Sequence, residues 1–190
     1  MHSGSEKIKS AKLYYYEATL EVCQKDYERR KDVSKTLEGK AQSNITVAGI
    51  FIAAIFAFIR DVNALNLNPV GKCVLVAAIV LLIASVLCSV CVFILTITRQ
   101  PLTGAQLHNT VTDLVSRATA ADIEKNLSVF KITFVSMQIE GWVKSVDSIA
   151  RANNWKTFFL ISAHVFLLFA MLAVGILTLG ILSGGLRNLS

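Results

Sequence analysis

Three long apolar stretches alternate with polar segments along this chain of 190 residues. They cover 41–59, 70–98 and 157–183, and apart from Lys72 none contains a charged side chain. A helix needs roughly 20 apolar residues to cross the hydrocarbon core of a bilayer. Lipid offers no partners to backbone N–H and C=O groups, and the alternating pattern of a membrane barrel is absent, so the stretches must be helical. The sequence therefore predicts an all-α membrane protein with three transmembrane helices.

The polar segment before the first apolar stretch has the pattern of one long helix. Between Glu6 and Lys40 there is no proline and glycine occurs only at position 39. Its apolar residues recur at alternating spacings of three and four, which is typical of a helical seam. We expect this helix to bury one face and to be able to continue into the first span. The seam consists of Leu13, Tyr16, Leu20, Cys23 and Tyr27.

The polar segment at 99–156 predicts a turn followed by two helices. Pro101 and Gly104 mark the turn, and a short helix with Leu107, Val111, Leu114 and Val115 on one face follows. The stretch from Thr119 to Asp122 has capping-box spacing and predicts a new helix start. That helix carries an apolar stripe and is expected to merge with the third span. Trp155 and Lys156, near the junction, are expected to be aromatic and basic anchors at the membrane interface. The stripe is Ile123, Leu127, Phe130, Phe134 and Met137.

The distribution of Lys and Arg predicts the orientation, because positive segments are retained in the cytoplasm. Sixteen of the 19 lie in 1–40 and 99–156, and three lie elsewhere. The predicted organisation is a cytoplasmic amphipathic helix at 1–40, a transmembrane hairpin at 41–98, a cytoplasmic helical segment at 99–156, and a third transmembrane helix with a short external tail at 157–190. The cytoplasmic helices are expected to form a bundle.

Composition supports the membrane class and argues against an enzyme. The chain is 54% hydrophobic and 17% charged, against about 25% charged residues in soluble domains. No nucleotide-binding glycine loop, zinc-protease motif or serine-hydrolase motif is present. The three histidines lie far apart, so neither a metal site nor a cofactor is predicted. The Cys88–Cys91 pair has C-x-x-C spacing but lies in a span, where helix packing is the favoured role.

Two sets of residues within the spans are candidates for a pore and for helix packing. A polar ionisable group inside a span usually faces protein or water, and His164 heads a stripe that could line a narrow pore. The alternative is a histidine that hydrogen-bonds a neighbouring helix. Small residues that let backbones approach, within or between chains, line the first and second spans. The candidate pore residues are His164, Leu168, Met171, Gly175 and Thr178, and the packing residues are Gly49, Ala53, Ala57, Ala77, Ala84, Cys88 and Cys91.

The first helix also carries a candidate ligand site. Cationic side chains can hold phosphates and tyrosine rings can stack on bases. The alternative is an anchor for anionic lipid. The candidate residues are Arg29, Arg30, Lys31, Tyr14, Tyr15 and Tyr16.

Three short motifs give the chain a family resemblance: Tyr27–Arg30 (YERR), 37–41 (LEGKA) directly before the first span, and Asn153–Lys156 (NNWK) before the third. The chain resembles the small membrane effectors of bacterial antiphage signalling systems, such as the SLATT and Pycsar transmembrane families and the channel subunit of Hailong-type systems. It departs from many of these relatives, which have two or four spans.

The resemblance implies a homo-oligomeric inner-membrane channel, expected as a tetramer, that is closed at rest. A nucleotide or oligonucleotide, made by a neighbouring nucleotidyltransferase or cyclase, would bind on the cytoplasmic side and open it, which depolarises the membrane. The alternative is a non-conducting membrane scaffold that recruits a cytoplasmic partner through its helical stalk. Conductance in liposomes separates the two.

Overall fold

The structure of the chain, a computed structural model, describes residues 3–62, 69–95, 109, 112–113 and 120–187. Three helices account for nearly all of them: α1 at Ser3–Val62, α2 at Pro69–Ile94 and α3 at Ala120–Arg187. The described residues contain no strand, so the all-α prediction is confirmed. Each of the three helices is long and apolar enough to cross a membrane, as predicted.

The continuity of α1 and α3 also follows the predictions. Helix α1 continues past Lys40 into the first apolar stretch without a break, since no proline interrupts it. Helix α3 begins one residue after Thr119 and continues through Lys156 into the third stretch. Helix α2 begins at Pro69, the residue type that suits a first helical position. The predicted turn at Pro101 and the short helix after it lie outside the described residues.

The chain divides into two compact units, each built from separate stretches of sequence. The first unit contains Met1–Val33 and Ile97–Asn153, and the second contains Ser34–Thr96 and Asn154–Ser190. The divisions, at 33/34, 96/97 and 153/154, lie seven, two and three residues before the boundaries expected at 40/41, 98/99 and 156/157. The second unit therefore contains the three apolar stretches, apart from positions 97–98 at the end of the second stretch.

In the first unit, α1 and α3 contact each other through an aromatic pair and a polar bond. Tyr27 is buried, and its ring meets Trp142 edge to face with 5.4 Å between centroids. Asn153 Nδ2 donates to the backbone carbonyl of Arg30 at 2.8 Å. The predicted seam of α1, from Leu13 to Tyr27, lies on its half-buried to buried side, so its orientation is confirmed.

In the second unit, buried positions recur at a spacing of seven on all three helices. This spacing is that of left-handed coiled coils, in which one side of each helix faces its partners throughout. Most of the positions hold Gly, Ala or Ser, which let helix backbones approach closely inside a membrane, where packing replaces the hydrophobic effect. They are Ser34, Ala41, Ala48 and Ile55 on α1, Gly71, Ala78, Ser85 and Val92 on α2, and Lys156, Ala163 and Ala170 on α3.

Larger side chains fill the space between these small residues. Leu75, Leu82 and Leu167 pack with Ile55 in the main apolar cluster of the second unit. A smaller cluster forms where Ala41, Val92 and Leu160 meet. The centre of the unit is thus packed with aliphatic side chains.

Candidate functional site

A cluster of polar side chains joins all three helices inside the second unit. Asn44 of α1 donates through Nδ2 to Ser85 Oγ at 2.9 Å and to Ser89 Oγ at 2.8 Å, both on α2. Ser85 Oγ in turn donates to the carbonyl of Ala163 on α3 at 2.8 Å. Asn44 is 3% exposed and both serines are 0% exposed. We call Asn44, Ser85 and Ser89 the Asn44 cluster.

The Asn44 cluster explains which side of each span faces inward. Lipid cannot hydrogen-bond a buried amide or hydroxyl, so these groups are more stable against neighbouring helices than facing the bilayer. Ser89 Oγ also donates to the carbonyl of Ser85 at 3.0 Å. The cluster therefore fixes the rotation of α1 and α2 about their axes.

A buried lysine lies at another level of the same unit. Lys156 of α3 is 1% exposed. Its Nζ donates to Ser34 Oγ on α1 at 2.9 Å and forms an ion pair with the carboxylate of Glu38. A buried ammonium is tolerated when a carboxylate and further hydrogen bonds compensate its charge.

The expectation that Lys156 is an interface anchor is therefore wrong. Its side chain points into the unit because Ser34 and Glu38, four residues apart on one face of α1, receive its protons. The adjacent Trp155 is 59% exposed and packs edge to face against Phe158, with ring centroids 6.1 Å apart. Trp155 keeps the outward position expected of an aromatic anchor.

The predicted pore stripe lies on the outer side of α3. All five of its residues are exposed in the single chain. The Nδ1 of His164 lies 2.7 Å from the carbonyl oxygen of Leu160 on its own helix, so this nitrogen is engaged within α3. A bond from the other ring nitrogen to a neighbouring helix stays the alternative. Thr178 Oγ1 likewise donates within α3, to Val174 at 2.9 Å. A role in a pore stays a prediction for His164, Leu168, Met171, Gly175 and Thr178.

The predicted small-residue faces are not the faces that pack within the chain. Gly49 is exposed, and a Cβ built on it would meet nothing within 4 Å. Its neighbour Ala48 is buried instead. On α2 the buried residues include Ser85 and Ser89, each one residue after a predicted position. Packing within the chain is thus excluded for Gly49, Ala53, Ala57 and Ala77, which are exposed, while Ala84, Cys88 and Cys91 are half-buried at the margin.

The predicted ligand residues do not converge on a single site in one chain. Fifteen residues of continuous helix separate Tyr15 from Arg30, which corresponds to about 22 Å. Tyr14 and Tyr15 are 69% and 70% exposed, whereas Tyr16 is half-buried on the seam. Arg30 Nε contacts Asp26 at 2.9 Å. Arg29 and Lys31 are exposed.

Ionisable groups of the first unit have shifted pKa values with ordinary causes. Hydrogen bonding to Lys25 lowers the pKa of Glu21 and raises that of Lys25 itself, across a 2.6 Å pair. Lys144 lowers the pKa of Glu140 in the same way. Burial, assisted by Asp26, raises the pKa of the Cys23 thiol. Among the described residues, no three His, Cys, Asp or Glu side chains form a group that could hold a metal.

The polar residues that join the helices were missed by sequence reasoning. Asn44, Ser85 and Ser89 are polar groups inside those two spans, where contact with lipid is unfavourable, and this was the available signal. Glu38 and Lys156 lie in the family-like motifs at 37–41 and 153–156, yet their pairing depends on a long-range contact.

Comparison of the chain with protein-family models, curated proteins and solved structures finds no match.

Proposed function

We propose that this chain is the subunit of a homo-oligomeric channel or pore in a bacterial inner membrane. It is closed at rest, its N-terminus is cytoplasmic and its C-terminus periplasmic. A nucleotide or oligonucleotide signal opens it, and the resulting depolarisation makes it an antiphage defence effector. The defence role and the inner-membrane location come from the family resemblance. The three apolar helices support the membrane part.

The outward position of His164 carries the proposal. An imidazole exposed on a membrane-spanning helix is costly against lipid, and the cost disappears when it faces water or protein. Because His164 is exposed on the outer side of α3, the water that it would face lies between chains. A ring of subunits with this side of α3 towards its axis provides such a lumen.

The exposed small residues of α1 suit contacts between subunits. At Gly49, Ala53 and Ala57 a neighbouring helix can approach closely, because these positions carry no long side chain. Among the described residues of the chain, none lies within 4 Å of the Cβ that a side chain at Gly49 would add. We place this face at the subunit interface and α3 at the lumen.

The signal is proposed to act on the first unit through exposed cations such as Arg29 and Lys31. Because Tyr14 and Tyr15 lie about 20 Å from them, one chain cannot use both sets on a single mononucleotide. An oligonucleotide, or a site shared by two chains, can use both. A signal that prefers the open form by about 5.5 kcal/mol would convert a 1:99 equilibrium into 99:1.

The test is ion flux through liposomes that contain the purified protein, with cyclic and linear oligonucleotides added to the side that exposes residues 1–40. Flux that one nucleotide switches on supports the proposal. His164→Leu should then alter conductance, whereas Ser162→Ala, which removes an exposed intrahelical bond to Phe158, should not. Silence with correctly oriented, folded protein contradicts the channel.

A non-conducting scaffold is the second candidate, favoured by exposed apolar side chains on α1. Tyr15 and Val22 are 70% and 65% exposed. They lie seven residues apart, so both point to one side, as an unpartnered helix face does. A protein partner would cover them. If the chain is a scaffold, the double variant Tyr15→Ser with Val22→Ser should abolish recruitment of the protein partner. No nucleotide should then produce ion flux in liposomes.

A further inference from the structure

Every hydrogen-bond donor in the Asn44 cluster is already used. The two Nδ2 protons of Asn44 go to Ser85 Oγ and Ser89 Oγ. The Ser85 hydroxyl proton goes to the carbonyl of Ala163, and the Ser89 hydroxyl proton goes to the carbonyl of Ser85. A side-chain amide has two protons and a hydroxyl has one, so the cluster has none left to donate.

One strong acceptor in the cluster remains. The Oδ1 atom of Asn44 is fully buried, and no donor among the described residues reaches it. Leaving a buried amide oxygen without a hydrogen bond is unfavourable, because nothing compensates the loss of its contact with water. Exchanging the oxygen and nitrogen of the amide does not remove the problem, because two buried N–H protons would then lack acceptors.

We infer that Asn44 Oδ1 accepts a positive group inside the second unit. That group is either a hydrogen atom of one bound water molecule or a small monovalent cation. An anion is excluded, since the cluster offers it only oxygen lone pairs. A divalent cation is disfavoured because the cluster contains no carboxylate. Water and a monovalent cation satisfy the same oxygen by the same electrostatics, and neutral amide and hydroxyl oxygens suit both.

This site lies within one chain and does not depend on the proposed channel. Its residues come from α1 and α2, with the Ala163 carbonyl of α3 as an outer partner. A ligand bound there would help to hold α1 in the rotation that turns Asn44 towards Ser85 and Ser89 of α2. If the liposomes stay silent, the site is unaffected, and if the site fails, the channel proposal is unaffected.

The first experiment distinguishes a cation from water. The unfolding midpoint of the full chain in detergent is measured in NaCl or KCl, replaced stepwise by N-methyl-D-glucamine chloride at constant ionic strength. A bound cation raises the midpoint with the logarithm of its concentration. The rise should vanish in Asn44→Leu and persist in the matched control Ser162→Ala.

The second experiment tests for water in the unmodified protein, so it does not depend on whether Asn44→Leu folds. With asparagine labelled by ¹⁵N, the Asn44 side-chain amide should show a cross-peak to a bound water that persists in detergent and is insensitive to the cation used. Ser85→Ala assigns the resonance by shifting it. Cation-dependent unfolding or the water cross-peak supports the inference. Absence of both overturns it.

Discussion

The ammonium group of Lys156 on α3 forms an ion pair with the carboxylate of Glu38 on α1, and the lysine is buried while the glutamate side chain is 38% exposed. Lys156 therefore needs Glu38 to compensate its charge more than Glu38 needs Lys156. Without its partner, Glu38 can turn to solvent. Without Glu38, Lys156 retains its hydrogen bond to Ser34 but loses the carboxylate that compensates its charge.

Removing Glu38 should therefore destabilise the protein more than removing Lys156. Glu38→Leu leaves a buried charge uncompensated and should lower the free energy of unfolding by about 3–5 kcal/mol. Lys156→Met removes that charge and leaves a glutamate that can turn to solvent, so the free energy of unfolding should change by about 1 kcal/mol or less. Denaturation in mixed detergent and SDS micelles measures both.

The control for this pair is Glu140→Gln. It breaks an exposed pair with Lys144 and should leave the unfolding curve unchanged. Equal losses for Glu38→Leu and Lys156→Met would contradict the asymmetry.

Two adjacent positions on α1 should respond differently to the same substitution. Ala48→Leu places a large side chain where the residue is 0% exposed, so overpacking should cost about 1–3 kcal/mol. Gly49→Leu points into open space and should leave the folding of the single chain unchanged. If the Gly49 face joins subunits, the same Gly49→Leu variant should run as a smaller species by light scattering. An unchanged mass would remove Gly49 from the interface.

The aromatic pair Tyr27–Trp142 should contribute to stability beyond the area it buries. An edge-to-face pair at 5.4 Å is typically worth about 0.5–1.5 kcal/mol. A double-mutant cycle with Tyr27→Leu and Trp142→Leu measures that coupling from unfolding curves. Tyr14→Leu is the control, because the Tyr14 ring is 69% exposed. A coupling of zero would contradict the packing of α1 against α3 in the first unit.

Acid should break the Glu140–Lys144 pair only below the ordinary range of a glutamate. The folded pKa of Glu140 is lowered by its hydrogen bond to Lys144. The small stability that the pair contributes is therefore fully present above the unfolded pKa, and it is lost as the pH falls through the folded pKa. Carbon NMR of the Glu140 carboxyl should give a low titration midpoint. Lys144→Gln should raise the midpoint to the ordinary value. If the midpoint does not change in this variant, the hydrogen bond to Lys144 is not what lowers the pKa of Glu140.

Cys23 should react slowly with thiol reagents in the folded protein. Burial raises its pKa, and the thiolate is the reactive form. In a variant that keeps only Cys23, the pH at which alkylation reaches half its maximal rate should be higher in the folded than in the SDS-denatured chain. Asp26→Asn should lower it slightly, because Asp26 contributes to the shift. Identical profiles in both states would contradict a half-buried Cys23.

The sequence predicted the helices well because length and composition determine them. Three long apolar stretches, and the proline-free polar sequence that precedes the first and the third of them, led to α1, α2 and α3. The spacing of Leu13, Tyr16 and Tyr27 indicated the buried side of α1. The small-residue faces singled out on the first two spans lie one position away from the faces that are buried within the chain. A span that is apolar on every side gives no amphipathic signal, so small residues at Gly49 and Cys88 looked equivalent to those at Ala48 and Ser89.

Contacts between distant residues were beyond a single sequence. The pairing of Lys156 with Glu38 joins positions that are far apart in the chain, and a lysine beside a span is ordinarily an interface anchor. The spread of the candidate ligand residues along α1 has a simpler cause. On a straight helix, residues about 15 apart cannot share a pocket unless the helix bends, and α1 contains no proline that would bend it.

The spacing of seven in the second unit makes helix length an adjustable quantity. Deleting Ala41–Val47 would bring Ala48 to the position of Ala41 with the inward side preserved, whereas deleting one residue would turn everything beyond it by about 100°. A change of seven residues in each of the three helices alters the height of the unit by about 10 Å. The same packing scheme can therefore be refitted to bilayers of different thickness by whole repeats, while losses of single residues disrupt it.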